Sequence, residues 1–278
     1  MKAWVKALLL CASSFSATAT EVVLEGKLTQ GSLIRAQAPA GAEVWFNETQ
    51  IKVGPDGRFV FGIGRDAALN HQLKVIYAGK TNMLPLRFTG RDYDIQKITG
   101  VEQKYVEPPK EVTARIASDN RKVREVRTAL TDKTAIFAEP LRPAAGRISG
   151  VYGSQRIFNG QPRNPHFGLD IAAPVGAPVL SPWDGKVLLA EDLYFSGLTL
   201  IIDHGYGVTS TFMHLNRFAV KVGDAVSQGQ QIADVGATGR VTGPHLDWRI
   251  NWLQERLDPQ LLLPEFTPAQ VQRLSLAP

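Results

Sequence analysis

Cysteine is almost absent from this chain of 278 residues, with Cys11 its one thiol. A disulfide framework within the chain is excluded, and so is a cysteine-built metal cluster. Long apolar runs are missing too, and none reaches the roughly 18 residues that a membrane-spanning helix needs. The charge is not lopsided: 31 basic against 26 acidic residues give a formal +5. That is no basic stripe of the kind a nucleic-acid groove demands, so no nucleic-acid partner is expected. What is present is ordinary for a globular protein, with 44% hydrophobic and 21% charged residues. Wholesale disorder, a collagen repeat and a coiled coil are excluded on the same ground.

Residues 1–19 read as a secretory signal. Lys2 and Lys6 make the positive start, Ala7 to Ala12 open a short apolar core, and Ala17-Thr18-Ala19 offers a small-x-small cleavage site. A lipoprotein signal is disfavoured because Leu10 is too bulky for the position before Cys11. Cleavage after Ala19 removes two lysines and Cys11, so the mature chain is expected to hold any metal with His, Asp or Glu. The expected location lies across the inner membrane. The lack of wall-anchoring features favours the periplasm over the extracellular medium.

The rest is expected to be mainly β. Residues 21–100 read as an immunoglobulin-like β-sandwich. Strand-like Ala42 to Phe46 and Gln50 to Val53 precede the turn Gly54-Pro55-Asp56-Gly57, and Gln72 to Tyr77 alternates with period two. Residues 101–135 read as a linker and helix. Pro108-Pro109 breaks regular structure, and Val112, Ile116, Val123, Val126 and Leu130 then recur at roughly helical spacing in a charged run. Residues 136–265 carry short Val/Ile/Leu runs between glycines and prolines, as in an antiparallel β-barrel or folded sandwich. Residues 266–278 are left as a C-terminal tail.

Four of the five histidines fall between residues 166 and 245. His166 and Asp170 stand four apart, and imidazole with carboxylate suits Zn²⁺. The pattern HxxxD alone also arises by chance. His214 ends a β-rich run. His245 and Asp247 stand two apart, so on a strand they share a face. Taken singly, each fragment reads as a salt bridge or a satisfied core histidine.

Taken together, the fragments resemble the lysostaphin-type (LytM) peptidoglycan endopeptidases. The resemblance runs from SGVYGSQR (Ser149–Arg156) through HFGLDIAAPVGAPV (His166–Val179) and GLTLIIDHGYGVTSTFMHL (Gly197–Leu215) to the run ending GPHL at Leu246. It covers roughly residues 147–260 and leaves the N-terminal sandwich outside. It implies the duplicated hybrid β-barrel of that family and a zinc ion on His166, Asp170 and position 247. It also implies that His214 and His245 flank the attacking water. The implied substrate is the peptide stem or cross-link of peptidoglycan.

One position departs from the family: Asp247 stands where the family has the second histidine of HxH. A carboxylate oxygen lies as many bonds from Cβ as an imidazole Nδ1, so Asp247 can replace such a ligand without moving the backbone. Two carboxylates cancel the charge of Zn²⁺, which implies a less acidic bound water and room for another divalent metal. The competing expectation is a degenerate, non-catalytic member that activates a cell-wall amidase by binding it. The same kind of barrel also occurs in sugar-phosphotransferase carriers with a phosphorylated histidine, but a secretory signal argues against that cytoplasmic chemistry. His204 is expected to be structural, Arg156 to be either a cleft or a surface residue, and Trp248 and Trp252 to pack the barrel.

Overall fold

The computed structural model describes residues 21–99, 110–266 and 270–276. The signal segment 1–19 lies outside the described residues, as does the Pro108-Pro109 break. The chain is mainly β. Its first strands are β1 (Glu21–Glu25), β2 (Leu33–Gln37), β3 (Glu43–Phe46), β4 (Thr49–Ile51), β5 (Arg58–Gly62), β6 (Asn70–Tyr77), β7 (Lys80–Arg87) and β8 (Ile95–Ile98). Helix α1 (Thr113–Val126) follows. Then come β9 (Arg147–Gly150), β10 (Gln155–Phe158), β11 (Gln161–Pro162), β12 (Leu169–Ala172), β13 (Pro178–Leu180), β14 (Gly185–Leu193) and β15 (Gly197–Gly205). The last are β16 (Val208–Phe218), β17 (Ala225–Val226), β18 (Gln231–Val235), β19 (His245–Trp252), β20 (Glu255–Leu257) and β21 (Val271–Ser275).

The N-terminal strands form two four-stranded antiparallel sheets, β21-β1-β2-β5 and β4-β3-β6-β7. Alternation explains them: Val22 and Leu24 of β1, Val44 and Phe46 of β3, and Leu73 and Val75 of β6 are buried between more exposed neighbours. Phe46 of one sheet meets Phe61 of the other at 4.7 Å between ring centroids, which closes the sandwich. One sheet is completed from the far end of the sequence. The stretch read from sequence as a tail supplies β21, paired antiparallel along the whole of β1. Its short, half-polar segment Val271-Gln272-Arg273-Leu274-Ser275 has little strand signal of its own, and the open edge of β1 recruits it.

Helix α1 is shorter than its apolar spacing suggests, and none of its residues is buried. Leu130, the last residue of the expected stripe, is half exposed. Charges hold the helix instead. Arg115 pairs with Asp192 at 3.1 Å, Lys122 with Glu191, and the Asp119 carboxylate accepts from the Tyr194 amide. The charged run thus tethers the helix to the β14–β15 hairpin.

The second half builds a ten-stranded, mostly antiparallel sheet that folds on itself, with the central order β17-β14-β15-β16-β19-β12-β9. β19 is its hub, bonded to β12 on one side and β16 on the other. Its apolar positions Leu246, Trp248 and Ile250 are buried in the barrel core, and Trp252 packs edge-on against Phe46 of the sandwich. β10 runs parallel to β8, joining the barrel to the segment that leaves the sandwich.

Sandwich and barrel share one continuous apolar core. Polar pins cross the seam: the Arg35 Nε donates to the Ile136 carbonyl at 2.6 Å, and Arg65 Nε donates to the Gly153 carbonyl at 2.9 Å. Arg91 Nη1 donates to the Asp258 carboxylate at 2.8 Å, where the acid is almost wholly buried and also caps Gln260. Removing the acid strands a cation at the seam. Asp258→Ala is expected to lower the unfolding free energy by about 3 kcal/mol, measured by urea denaturation, with the two sheet systems still melting in one transition.

Candidate metal centre

Register places the carboxylates. β12 and β19 pair with Asp170 directly opposite Asp247, and β19 and β16 pair with Asp247 directly opposite Met213. Opposed residues of an antiparallel pair share a face, so Asp170 and Asp247 lie side by side on the sheet. Two glycines make room for them. A Cβ on Gly150 would stand 2.3 Å from Asp170 Oδ2, and one on Gly168 would stand 2.3 Å from Asp247 Oδ1. Both distances are below any real contact, so the glycines of SGVYG and HFGLD are where the carboxylates pass closest to the backbone.

His166, just before β12, brings Nε2 to 3.2 Å from Asp170 Oδ1 and Nδ1 to 4.0 Å from Asp247 Oδ2. His166, Asp170 and Asp247 each offer a ligand atom, all within 4.8 Å of one another. Two of the buried atoms here, His166 Nε2 and Asp170 Oδ1, have no hydrogen-bond partner. Orphaned buried acceptors at a converging point are what a divalent cation would satisfy. The donor set, one imidazole and two carboxylates, fits Zn²⁺ chemically.

His214 and His245 lie beside this triad with ring centroids 4.9 Å apart. His214 sits at φ +62, in the left-handed region, next to a register shift in β16. That conformation costs a residue with a Cβ about 1 kcal/mol, and it turns the ring toward the site. Its Nδ1 donates to the Thr238 carbonyl at 2.9 Å. A carbonyl only accepts, so Nδ1 carries the proton and Nε2 of the neutral ring is a free base. Burial lowers the His214 pKa and keeps the ring neutral near pH 7. His245 repeats the arrangement: Nδ1 donates to the Gly243 carbonyl at 2.9 Å, and Nε2 stands 3.8 Å from Asp170 Oδ1.

Arg249 is the residue that sequence reading missed. Its Nε and Nη2 grip both oxygens of Asp247, the shortest contact being 2.6 Å. Burial by itself would raise the Asp247 pKa, but the guanidinium, with His166 and His214, holds it at about 2. Asp247 is therefore a carboxylate at every physiological pH. The signal was available. The period-two rule that sets His245 and Asp247 on one face places Arg249 there as well.

The other singled-out residues fall outside the cluster. Arg156 is exposed on β10, while Trp248 is fully buried in the barrel core. His204 is fully buried away from the triad, its Nδ1 donating to the Asp184 carbonyl and its Nε2 accepting from Ser210, both at 2.8 Å.

Comparison with known proteins fits this picture. Residues 164–259 match the model of peptidase family M23. It is 45% identical over 86 residues to the peptidoglycan DD-endopeptidase ShyB of Vibrio cholerae, covering 31% of this chain and 20% of that protein. It is 36% identical over 143 residues to the DD-carboxypeptidase/endopeptidase Mpg of Neisseria meningitidis, covering 50% of this chain and 33% of that one. The matches thus span a fifth to a third of these curated relatives. The fold is also similar to a crystal structure of an M23-type candidate peptidase from Pseudomonas aeruginosa. The TM-score is 0.66 at 25% identity, over 85% of this chain and 95% of that one.

His204 gives a test independent of the triad. Burial lowers its pKa to about 4. The unfolded chain, near 6.5, binds the proton first, so stability falls as pH drops from about 6.5 toward 4. The loss over that window is about 3 kcal/mol. Urea midpoints between pH 7 and 4 should show this slope, and His204→Gln should flatten it.

Proposed function

We propose that this chain is a zinc-dependent endopeptidase that hydrolyses peptide bonds in peptidoglycan stems or cross-links, and that it works in the periplasm after removal of residues 1–19. The observation that carries the proposal is the convergence of His166, Asp170 and Asp247, with two orphaned buried ligand atoms, beside two histidines with free Nε2 atoms. The family match over residues 164–259 and the similarity to named endopeptidases support the substrate class. Among the described residues no helix is long and apolar enough to cross a membrane.

His166, Asp170 and Asp247 would hold the ion, which supplies Lewis acidity toward the scissile carbonyl and acidity to water. The rest is done by the chain. His214 Nε2 takes a proton from the attacking water, since its Nδ1 is already committed to Thr238. Once charged, the His214–His245 pair donates to the developing oxyanion and returns a proton to the leaving amine. The Arg249 guanidinium keeps Asp247 ionised and fixes its direction. In doing so it withdraws negative charge from the site.

That withdrawal favours a second reading. A carboxylate already satisfied by an arginine has less need of a cation, as in a degenerate member that binds a cell-wall amidase. Mass spectrometry of products from sacculi incubated with residues 20–278 separates the two. Zinc should yield peptide-cleaved muropeptides, and a chelator should abolish them, with manganese and cobalt compared. Asp170→Ala should lose the bound zinc. His214→Ala should keep the zinc and lower kcat by about 10²–10⁴-fold. A fully zinc-loaded chain that releases no products would overturn the enzyme reading.

A further inference from the structure

The sheet face that carries Asp170 and Asp247 continues beyond them. Thr211 lies opposite Arg249, and Asn251 lies opposite Arg256 on β20. Asp247, Arg249, Asn251, Thr211 and Arg256 therefore share one face. Arg127, at the end of α1, reaches the same face from above, its Nη2 donating to Thr211 Oγ1 at 3.3 Å. Three guanidiniums thus gather beside the metal centre, and among the described residues the one carboxylate paired with any of them is Asp247, already held by Arg249.

Arg127 is 9% exposed, and its Nε has no hydrogen-bond partner. Among the described residues no carboxylate forms an ion pair with Arg127 or Arg256. Burial, then the like charges of Arg249 and Arg256, push the Arg127 guanidinium down to about 9. Anchoring α1 to the sheet would not require a charge, because an amide could bond Thr211 without the desolvation cost. The three form a gradient from exposed Arg256 through half-buried Arg249 to buried Arg127. A cavity of about 330 Å³, lined in part by Arg65, Phe167, Gln254 and Arg256, opens beside the outer end.

We infer that Arg127, Arg249 and Arg256 form a seat for a carboxylate of the bound peptide, next to the metal centre. Guanidinium forks match carboxylates in pairs of parallel hydrogen bonds. Arg249 stands two residues along β19 from Asp247, about 7 Å. A carboxylate seated there lies within about two peptide residues of the bond to be cut. The inference rests on the peptidase reading for the identity of the ligand, since stem peptides carry free carboxylates along their length.

The test is equilibrium binding, measured on the zinc-loaded chain in a His214→Ala background so that turnover does not consume the probe. The probes are a cross-linked stem-peptide dimer with free carboxylates and the same dimer fully amidated. The free acid should bind at least about tenfold more tightly, the worth of one charge-assisted hydrogen bond. Arg127→Gln should reduce that ratio to near one, and Arg127→Lys should retain part of it. Equal affinity for both probes overturns the seat, and so does an Arg127→Gln loss that leaves the ratio unchanged. If Arg127→Gln fails to fold by circular dichroism, Arg256→Gln at the exposed end should still lower the ratio, and an unchanged ratio there overturns the inference. Millimolar inorganic phosphate that weakens both probes equally would mark a general anion site and also overturn it. Sacculus cleavage without carboxylate preference removes the seat and leaves the peptidase; preference without cleavage does the reverse.

Discussion

Everything at the candidate centre depends on the register of one strand. β19 is hydrogen-bonded on both sides, and the pairing that sets Asp170 opposite Asp247 also sets Asp247 opposite Met213, next to His214. A slip of one residue would turn Asp247 into the barrel core and Trp248 out to the cleft. The buried positions Leu246, Trp248 and Ile250 forbid that slip, because each would lose its apolar surroundings. The apolar side of β19 thus holds its chemical side in place.

Placing two carboxylates side by side in a half-buried site creates an electrostatic demand, because like charges in low dielectric raise each other's pKa. Three devices answer it here. Arg249 neutralises Asp247, His166 lies within ion-pair distance of both acids, and the orphaned Nε2 and Oδ1 leave a place for a cation. The result is a site of mixed charge, less negative than two aspartates alone. The surplus of arginine on the same face then turns the cleft toward anions.

The sandwich contributes rigidity. Its core runs into that of the barrel, with Phe46 against Trp252 and Arg91 against buried Asp258. β21 closes the loop by returning the chain's last described strand to its first. The strands that carry the centre are therefore held between two packed layers rather than in a free-standing barrel.

Much of this was legible in the residues. Strand-like runs about the turn Gly54-Pro55-Asp56-Gly57 and the alternation of Gln72 to Tyr77 pointed to the sandwich, and short Val/Ile/Leu runs between glycines and prolines pointed to the barrel. His166, Asp170, His214, His245 and Asp247 were singled out by the resemblance to the lysostaphin-type endopeptidases, since each fragment alone reads as a salt bridge or core histidine, and the fold brings all five to one place. Arg249 was within reach of the same period-two rule, since it is a local fact about one strand. Other features were decided by tertiary structure alone. The free Nε2 of His214 depends on a carbonyl 24 residues away, and Arg127 reaches Thr211 across 84 residues. The pairing of β21 with β1 spans nearly the whole chain. Sequence fixes what repeats locally, because side-chain direction follows strand period. It leaves open which distant backbone group a side chain will meet, because that depends on how separately specified strands pack against one another.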